Sequence, residues 1–145
     1  MDEKVILLVE DNPDDIALTL RAFKKCNISN NVVIIEDGEE ALDYIECKGK
    51  YIGKSKLDLP TVILLDINLP KVNGFEVLKA IRENESTKFL PVVILTSSKE
   101  ELDILNGYKL GANSYIQKPV DFQNFFEAVQ TLGLYWLIIN EQPIR

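Results

Sequence analysis

Thr61-Val-Ile-Leu-Leu-Asp-Ile-Asn-Leu-Pro-Lys-Val-Asn-Gly74 is the stretch whose reading decides the fold. Val62, Ile63, Leu64 and Leu65 are consecutive apolar residues, two of them β-branched, which is the composition of a strand covered on both faces of a parallel sheet. Asp66 follows at once, and Pro70 and Gly74 then break the regular pattern. Open α/β sheets bind ligands beyond the carboxyl ends of their strands. An acid at that point reads as a phosphate-accepting nucleophile, and the rest of the chain reads as what serves it.

Working outward, Val5-Ile-Leu-Leu-Val9 is a second buried run and ends in Glu10-Asp11-Asn12. Pro13 suits the first position of a helix, with Asn12 as its cap and Asp14 and Asp15 in the positive first turn. Ile16, Leu20 and Phe23 are its expected buried stripe. Asn31 to Glu36 reads as a strand, and Asp37-Gly38 turns into a short helix carrying Ala41, Leu42 and Ile45. Between Glu46 and Pro60 the periodicity is lost. Lysines alternate there with glycine and serine, which predicts an exposed, mobile connection, longer than the roughly two to six residues usual in α/β units. Such a length suits either a functional loop or a merely solvated one.

Downstream of the central strand, residues 74–83 form a helix with Phe75, Leu78 and Ile81 inward. Pro91 to Leu95 is a fourth buried strand that delivers Thr96-Ser97-Ser98 at its end. Ser98 and Glu101 have capping-box spacing for a helix to about Lys109, closed by Gly111. Asn113 to Gln117 is a short fifth strand leading into Lys118-Pro119. The last helix is expected over 121–140. Strands alternating with helices five times predict a doubly wound parallel sheet, of order 2-1-3-4-5, in a single domain spanning residues 1–145. Right-handed crossovers then bring every strand's carboxyl end to one edge, and Glu10-Asp11, Asp66, Thr96 and Lys118 each terminate a different strand.

Composition narrows the function. The 145 residues carry 16 basic and 23 acidic side chains, a net charge of −7, which disfavours nucleic acid and anionic membrane as partners. No apolar run approaches the roughly 18 residues of a membrane helix. Met1-Asp2-Glu3-Lys4 is no secretion leader, so the cytoplasm is the expected location. The chain has no histidine, which removes serine triads and histidine phosphocarriers. Cys26 and Cys47 form no metal-binding pair and read as free thiols.

Close carboxylates repel one another unless a cation binds between them. Glu10, Asp11 and Asp66 offer oxygen ligands alone, which favours magnesium over zinc. The plainer alternative is that Glu10 and Asp11 merely precede a helix start, where acids help anyway. Lys118 is the natural counter-charge for a phosphoryl group on Asp66, and Thr96 a neutral hydrogen-bond donor to it. A lysine or threonine at a strand end is ordinarily a surface side chain, but three independent strand ends bear the expected chemistry here, so chance is the weaker account.

Val9-Glu-Asp-Asn12, Leu65-Asp-Ile-Asn-Leu-Pro70 followed by Asn73-Gly74, Leu95-Thr-Ser97 and Gln117-Lys-Pro119 resemble, in order, the motifs of a two-component response regulator receiver domain. The likeness covers nearly the whole chain. It implies the flavodoxin-like receiver fold and a phosphoryl group passed from a kinase phosphohistidine to Asp66. It also implies magnesium held by Glu10, Asp11, Asp66 and the main-chain carbonyl of Asn68, with phosphate bound by Thr96 and Lys118. Tyr115 would be the aromatic that turns inward when Thr96 moves; read by itself it is a half-buried strand aromatic. Glu10 stands where the family more often has aspartate and Ser97 where alanine is common, and both bear on phosphoryl lifetime.

Phe122, Phe125, Phe126 and Val129 give the last helix a stripe, but Leu132-Gly-Leu-Tyr-Trp-Leu-Ile-Ile139 is apolar nearly all round. That is more than one packed face buries, and it marks either a partner surface or a place where a tail folds back. With the lysine-rich 46–60 loop, this ending resembles the stand-alone regulators that partner phytochrome-type histidine kinases. That likeness implies a homodimer through Leu134, Tyr135, Trp136, Ile138 and Ile139. No DNA-binding or enzymatic output domain is expected, so the downstream target would be another protein, reached through a surface around Thr96, Tyr115 and the last two helices. The competing readings are a magnesium-dependent aspartyl-phosphate phosphatase, a protein-interaction module that is never phosphorylated, and a flavin-binding module of the same topology. The phosphatase would want a second acid where Asn68 stands. The flavin module would want a phosphate-cradling loop where Glu10-Asp11-Asn12-Pro13 stands.

Overall fold

Five parallel strands form one sheet in the order β2-β1-β3-β4-β5, as the alternation of elements predicts. The strands are β1 (Val5–Val9), β2 (Asn31–Ile35), β3 (Val62–Leu65), β4 (Val92–Thr96) and β5 (Ser114–Gln117). The helices are α1 (Pro13–Lys25), α2 (Gly38–Glu46), α3 (Gly74–Glu83), α4 (Glu101–Lys109) and α5 (Phe122–Leu134). This computed structural model describes residues 5–26, 31–54, 59–96, 101–117 and 122–134. Among them, no helix is long and apolar enough to cross a membrane.

The central strands are apolar along their length, up to Thr96 at the end of β4, because both sheet faces are covered. Alternate side chains feed two cores. Leu7, Val9, Ile63, Leu65, Val92 and Ile94 pack with Ala41, Ile45, Val77, Leu78 and Ile81 of α2 and α3. Ile6, Val62, Val93 and Leu95 pack on the other face with Ala22 and Phe23 of α1. Helix α5 lies beside α1, where the Cys26 thiol approaches the Phe126 carbonyl at 4.0 Å and burial pushes that thiol's pKa up.

Three stripes differ from expectation. In α1 the buried residues are Thr19, Ala22 and Phe23, while Leu20 is exposed and Ile16 half-buried. Thr19 satisfies its hydroxyl on the Asp15 carbonyl at 2.8 Å, so a polar but small residue replaces the expected leucine on the inner face. In α3 Val77 joins Leu78 and Ile81 inside, and Phe75 is only partly buried. In α2 Tyr44 is buried and Leu42 half-buried.

The stretch after α2 carries more regular structure through residue 54 than its composition predicts. Gly49–Tyr51 forms a 3-10 turn whose Tyr51 ring meets Tyr44 edge-on at 5.0 Å. The Tyr51 hydroxyl donates to Glu40 at 2.6 Å, and Lys54 lies 3.9 Å from the centre of the Tyr44 ring. Burial first, and then the Glu40 carboxylate, raise the Tyr51 pKa well above the usual tyrosine value. Two aromatics thus anchor a segment rich in lysine and glycine.

Arg82 ties the amino-terminal side of the sheet together. Its Nε donates to the Gly111 carbonyl at 2.9 Å, and Nη2 to the same oxygen at 2.7 Å. Nη1 reaches the carbonyls of Leu90 at 2.7 Å and Lys88 at 3.2 Å, and Nη2 also reaches Asn113 Oδ1 at 3.1 Å. All the guanidinium's donors are thereby engaged, and burial lowers its pKa. Gly111, at φ +100, leaves room for this side chain where a Cβ would sit 2.8 Å from Nε.

Candidate functional site: a carboxylate cluster at the strand ends

β1 and β3 run side by side in register, Val9 opposite Leu65, so the residues that follow them emerge together. The Asp66 amide donates to the Val9 carbonyl at 3.0 Å and the Glu10 amide to the Ile35 carbonyl at 2.9 Å, which extends the ladder just past the strands. Carboxylate oxygens of Glu10, Asp11 and Asp66 consequently lie within 4.8 Å of one another. Glu10 is 1% and Asp66 6% exposed, whereas Asp11 faces solvent. The donor set is oxygen only, which fits a hard divalent cation. Such a cation would offset charges that otherwise repel at short range in a partly desolvated place.

Each arm is locally fixed. Asn12 caps α1, its Oδ1 accepting from Asp14 at 2.9 Å and Asp15 at 3.2 Å, while its own amide donates to Glu10 Oε2 at 3.3 Å. Asp66 Oδ1 accepts from the Asn68 amide at 3.0 Å. The loop from Asp66 to Asn73 is wedged between two glycines. A Cβ on Gly74 would overlap the Asp66 carbonyl oxygen, and one on Gly38 would overlap the Val72 carbonyl. Asn73 then caps α3 through Glu76 at 3.1 Å. Lys71 takes a left-handed φ of 70 in this loop and pairs with Asp37 at 3.8 Å.

Thr96, the last residue of β4, is fully buried, and its Oγ1 accepts from Asn68 Nδ2 at 3.1 Å. The family resemblance implies a role for Asn68 only through its main-chain carbonyl. The side-chain bridge to Thr96 has no local signal, because it joins residues 28 positions apart. Tyr115 is half-buried in β5 and packs on the larger core beside Gly107 of α4, where a Cβ would lie 3.5 Å from its ring. Leu102, Leu105 and Tyr108 are exposed on α4. Lys118, Tyr135, Trp136, Ile138 and Ile139 lie outside the described residues, and α5 is described to Leu134.

A doubly wound sheet with an acid triad at the ends of β1 and β3 and a buried threonine at the end of β4 defines a class. The chain belongs to the response regulator receiver domain family, whose model matches residues 6–130. It is 39% identical over 134 residues to response regulator Rcp1 of Synechocystis sp., covering 92% of this chain and 89% of Rcp1. It is also 39% identical over 142 residues to the probable methanogenesis regulatory protein FilR2 of Methanothrix harundinacea, covering 98% and 89% of the two chains. The crystal structure of the phosphorylated cyanobacterial phytochrome response regulator RcpA superposes with a TM-score of 0.88 at 38% identity, covering 99% of this chain and all (100%) of RcpA. The Mn(2+)-bound form of Rcp1 superposes at 0.86, again at 38% identity, with 97% and 99% covered. The family, the receiver fold and the likeness to phytochrome response regulators therefore stand as the sequence motifs imply.

Proposed function

We propose that Asp66 is the phosphoacceptor of this response regulator, receiving its phosphoryl group from the phosphohistidine of a sensor histidine kinase of phytochrome type. The observation that carries the reading is the convergence of Glu10, Asp11 and Asp66 at the strand ends, two of the three buried. An Asp66 carboxylate oxygen attacks phosphorus in line as the P–N bond breaks, and the imidazole leaves with that electron pair. Glu10, Asp11, Asp66 and the main-chain carbonyl of Asn68 hold magnesium, which when bound supplies the positive charge that offsets the carboxylates and the phosphoryl oxygens. The Asn68 amide orients the Asp66 carboxylate through its 3.0 Å bond. Thr96 and Lys118 bind the phosphoryl oxygens, and Tyr115 turns inward when Thr96 moves.

Water later attacks phosphorus, the acyl P–O bond breaks, inorganic phosphate departs and the carboxylate is restored. The chain thus assists its own phosphorylation and dephosphorylation and is no turnover enzyme. Asn68, in place of a second acid, supports this over the phosphatase reading. The output is a biased two-state equilibrium that remodels a protein-binding surface. The protein works in the cytoplasm as a homodimer through Leu134, Tyr135, Trp136, Ile138 and Ile139, and its downstream target is a protein. Similarity to RcpA and Rcp1 supports the phytochrome-type partner.

Intact mass after incubation with magnesium and acetyl phosphate tests the proposal. Wild type gains one labile phosphoryl adduct, and chelated wild type and Asp66→Asn gain none. An unmodified wild type, or catalytic turnover of phosphoesters, overturns it.

A further inference from the structure

We propose that Lys71 and Asp37 are positioning residues: their pairing holds the loop from Asp66 to Asn73 against the start of α2 and so sets where the Asn68 carbonyl stands for a cation. The role rests on the reading of Asp66 as phosphoacceptor with magnesium beside it. Pro70, Lys71 and Val72 each meet the start of α2. The Pro70 carbonyl accepts from the Gly38 amide at 3.2 Å and from the Val72 amide at 2.9 Å. Lys71 Nζ lies 3.8 Å from Asp37 Oδ2, and the Val72 carbonyl fills the space that a Cβ on Gly38 would take.

The backbone at Lys71 makes its side chain informative. The Val72-to-Pro70 bond closes around a residue at φ 70, a three-residue turn of the strained hand that suits glycine better than lysine. Strain of this kind persists where the surroundings over-determine it. Here they do. Lys71 and Lys50 share a cleft with the carboxylates of Asp37, Glu39, Glu40 and Asp43, two cations against four acids, so a positive charge is favoured at position 71. Asp37 is itself fixed, because its Oδ1 caps α2 by accepting from the Glu40 amide at 2.7 Å. The loop is also closed at its base, where the Gly74 amide donates to the Ile67 carbonyl at 2.9 Å. With base and tip both tied, a cation meets the Asn68 carbonyl as a ligand already in place.

A double-mutant cycle on the unphosphorylated full chain reads the pairing. Asp37→Asn removes the charge and keeps the cap, because asparagine caps as well as aspartate, and Lys71→Ala removes the ammonium. In calorimetric titrations with magnesium, each single variant binds about 1.5- to 5-fold more weakly than wild type, the range that an exposed ion pair represents. The double variant binds no more weakly than either, and Lys71→Arg binds as wild type does. Lys71→Gly separates positioning from stability. Relieved of strain, it unfolds at a higher urea midpoint than Lys71→Ala, yet it binds magnesium as weakly. Unchanged affinity in the single variants, additive losses in the double, a weakened Lys71→Arg, a Lys71→Gly that binds like wild type, or a wild type that binds no magnesium overturns the proposal. Failure of the phosphoacceptor reading shows separately, as wild type that binds magnesium but gains no adduct from acetyl phosphate, and the cycle still decides the roles of Lys71 and Asp37.

Discussion

Replacing Asp66 by asparagine should stabilise the cation-free protein while abolishing its response to magnesium. Carboxylate oxygens of Asp66 and Glu10 lie within 4.8 Å, and both side chains are nearly buried. At an effective dielectric of about 20, two unit charges at that distance repel by about 3.5 kcal/mol. The amides of Asn68 and Asn12 already offset part of this, and the exposed Asp11 adds little through solvent screening. A net gain of about 1–3 kcal/mol is left, which for a chain of this length raises Tm by about 3–10 °C. Magnesium at ten times its dissociation constant stabilises wild type by RT ln 11, about 1.4 kcal/mol, and leaves the variant unmoved. Calorimetric melts of both proteins, in chelator and in magnesium, read all four states. Asp66→Asn melting no higher than wild type in chelator, and gaining as much from magnesium, would refute the view that these carboxylates form one cation site.

Gly74→Ala should cost about 2–4 kcal/mol in urea titrations and slow the acetyl phosphate reaction, because its methyl displaces the Asp66 carbonyl; unaltered stability would show that the loop yields. Arg82→Met, which leaves the carbonyls of Leu90 and Gly111 without their charged donor, should lose about 2–4 kcal/mol, read as a lower urea midpoint at unchanged m-value. Tyr51 has its folded pKa raised, so the stability it contributes is present in full below the ordinary tyrosine value of about 10 and is lost as pH climbs beyond it. Between pH 9.5 and 11, taken here as roughly bracketing that value, wild type should therefore lose more stability than Tyr51→Phe; parallel curves would contradict the role of the Glu40 contact. Charged residues in place of Trp136 and Ile139 should shift a dimer toward monomer in light scattering, and an unchanged mass would remove that patch as the interface.

How legible each part was in the sequence follows from the range of the interactions involved. The strands were readable because burial on both sheet faces demands unbroken runs such as Val62–Leu65, and the acids because a parallel sheet delivers every strand end to one edge. The cap at Asn12, expected from the sequence, is local, within three residues of its partners; Asp37 and Asn73 cap α2 and α3 over the same short range without having been singled out as caps. Side-chain direction was harder. Leu20 was the more hydrophobic choice for the inner face of α1, yet close packing there took Thr19 and Ala22, which a hydrophobicity pattern undervalues. Arg82 has its partners 6 to 31 residues away, so no local pattern marks it. The Asn68–Thr96 bond spans two strands and leaves no periodic trace. In the 46–54 stretch, glycine and lysine concealed the edge-on contact of Tyr51 with Tyr44.

The central claim is that Asp66 carries the phosphoryl group. Borohydride reduces an acyl phosphate to an alcohol, so a phosphorylated aspartate becomes homoserine and its position is permanently marked. Wild type treated with acetyl phosphate and magnesium, reduced, digested and sequenced by tandem mass spectrometry should carry homoserine at Asp66 and at no other acid. Homoserine at Asp11 or elsewhere, or none at all from a protein that has gained the adduct, would contradict the account.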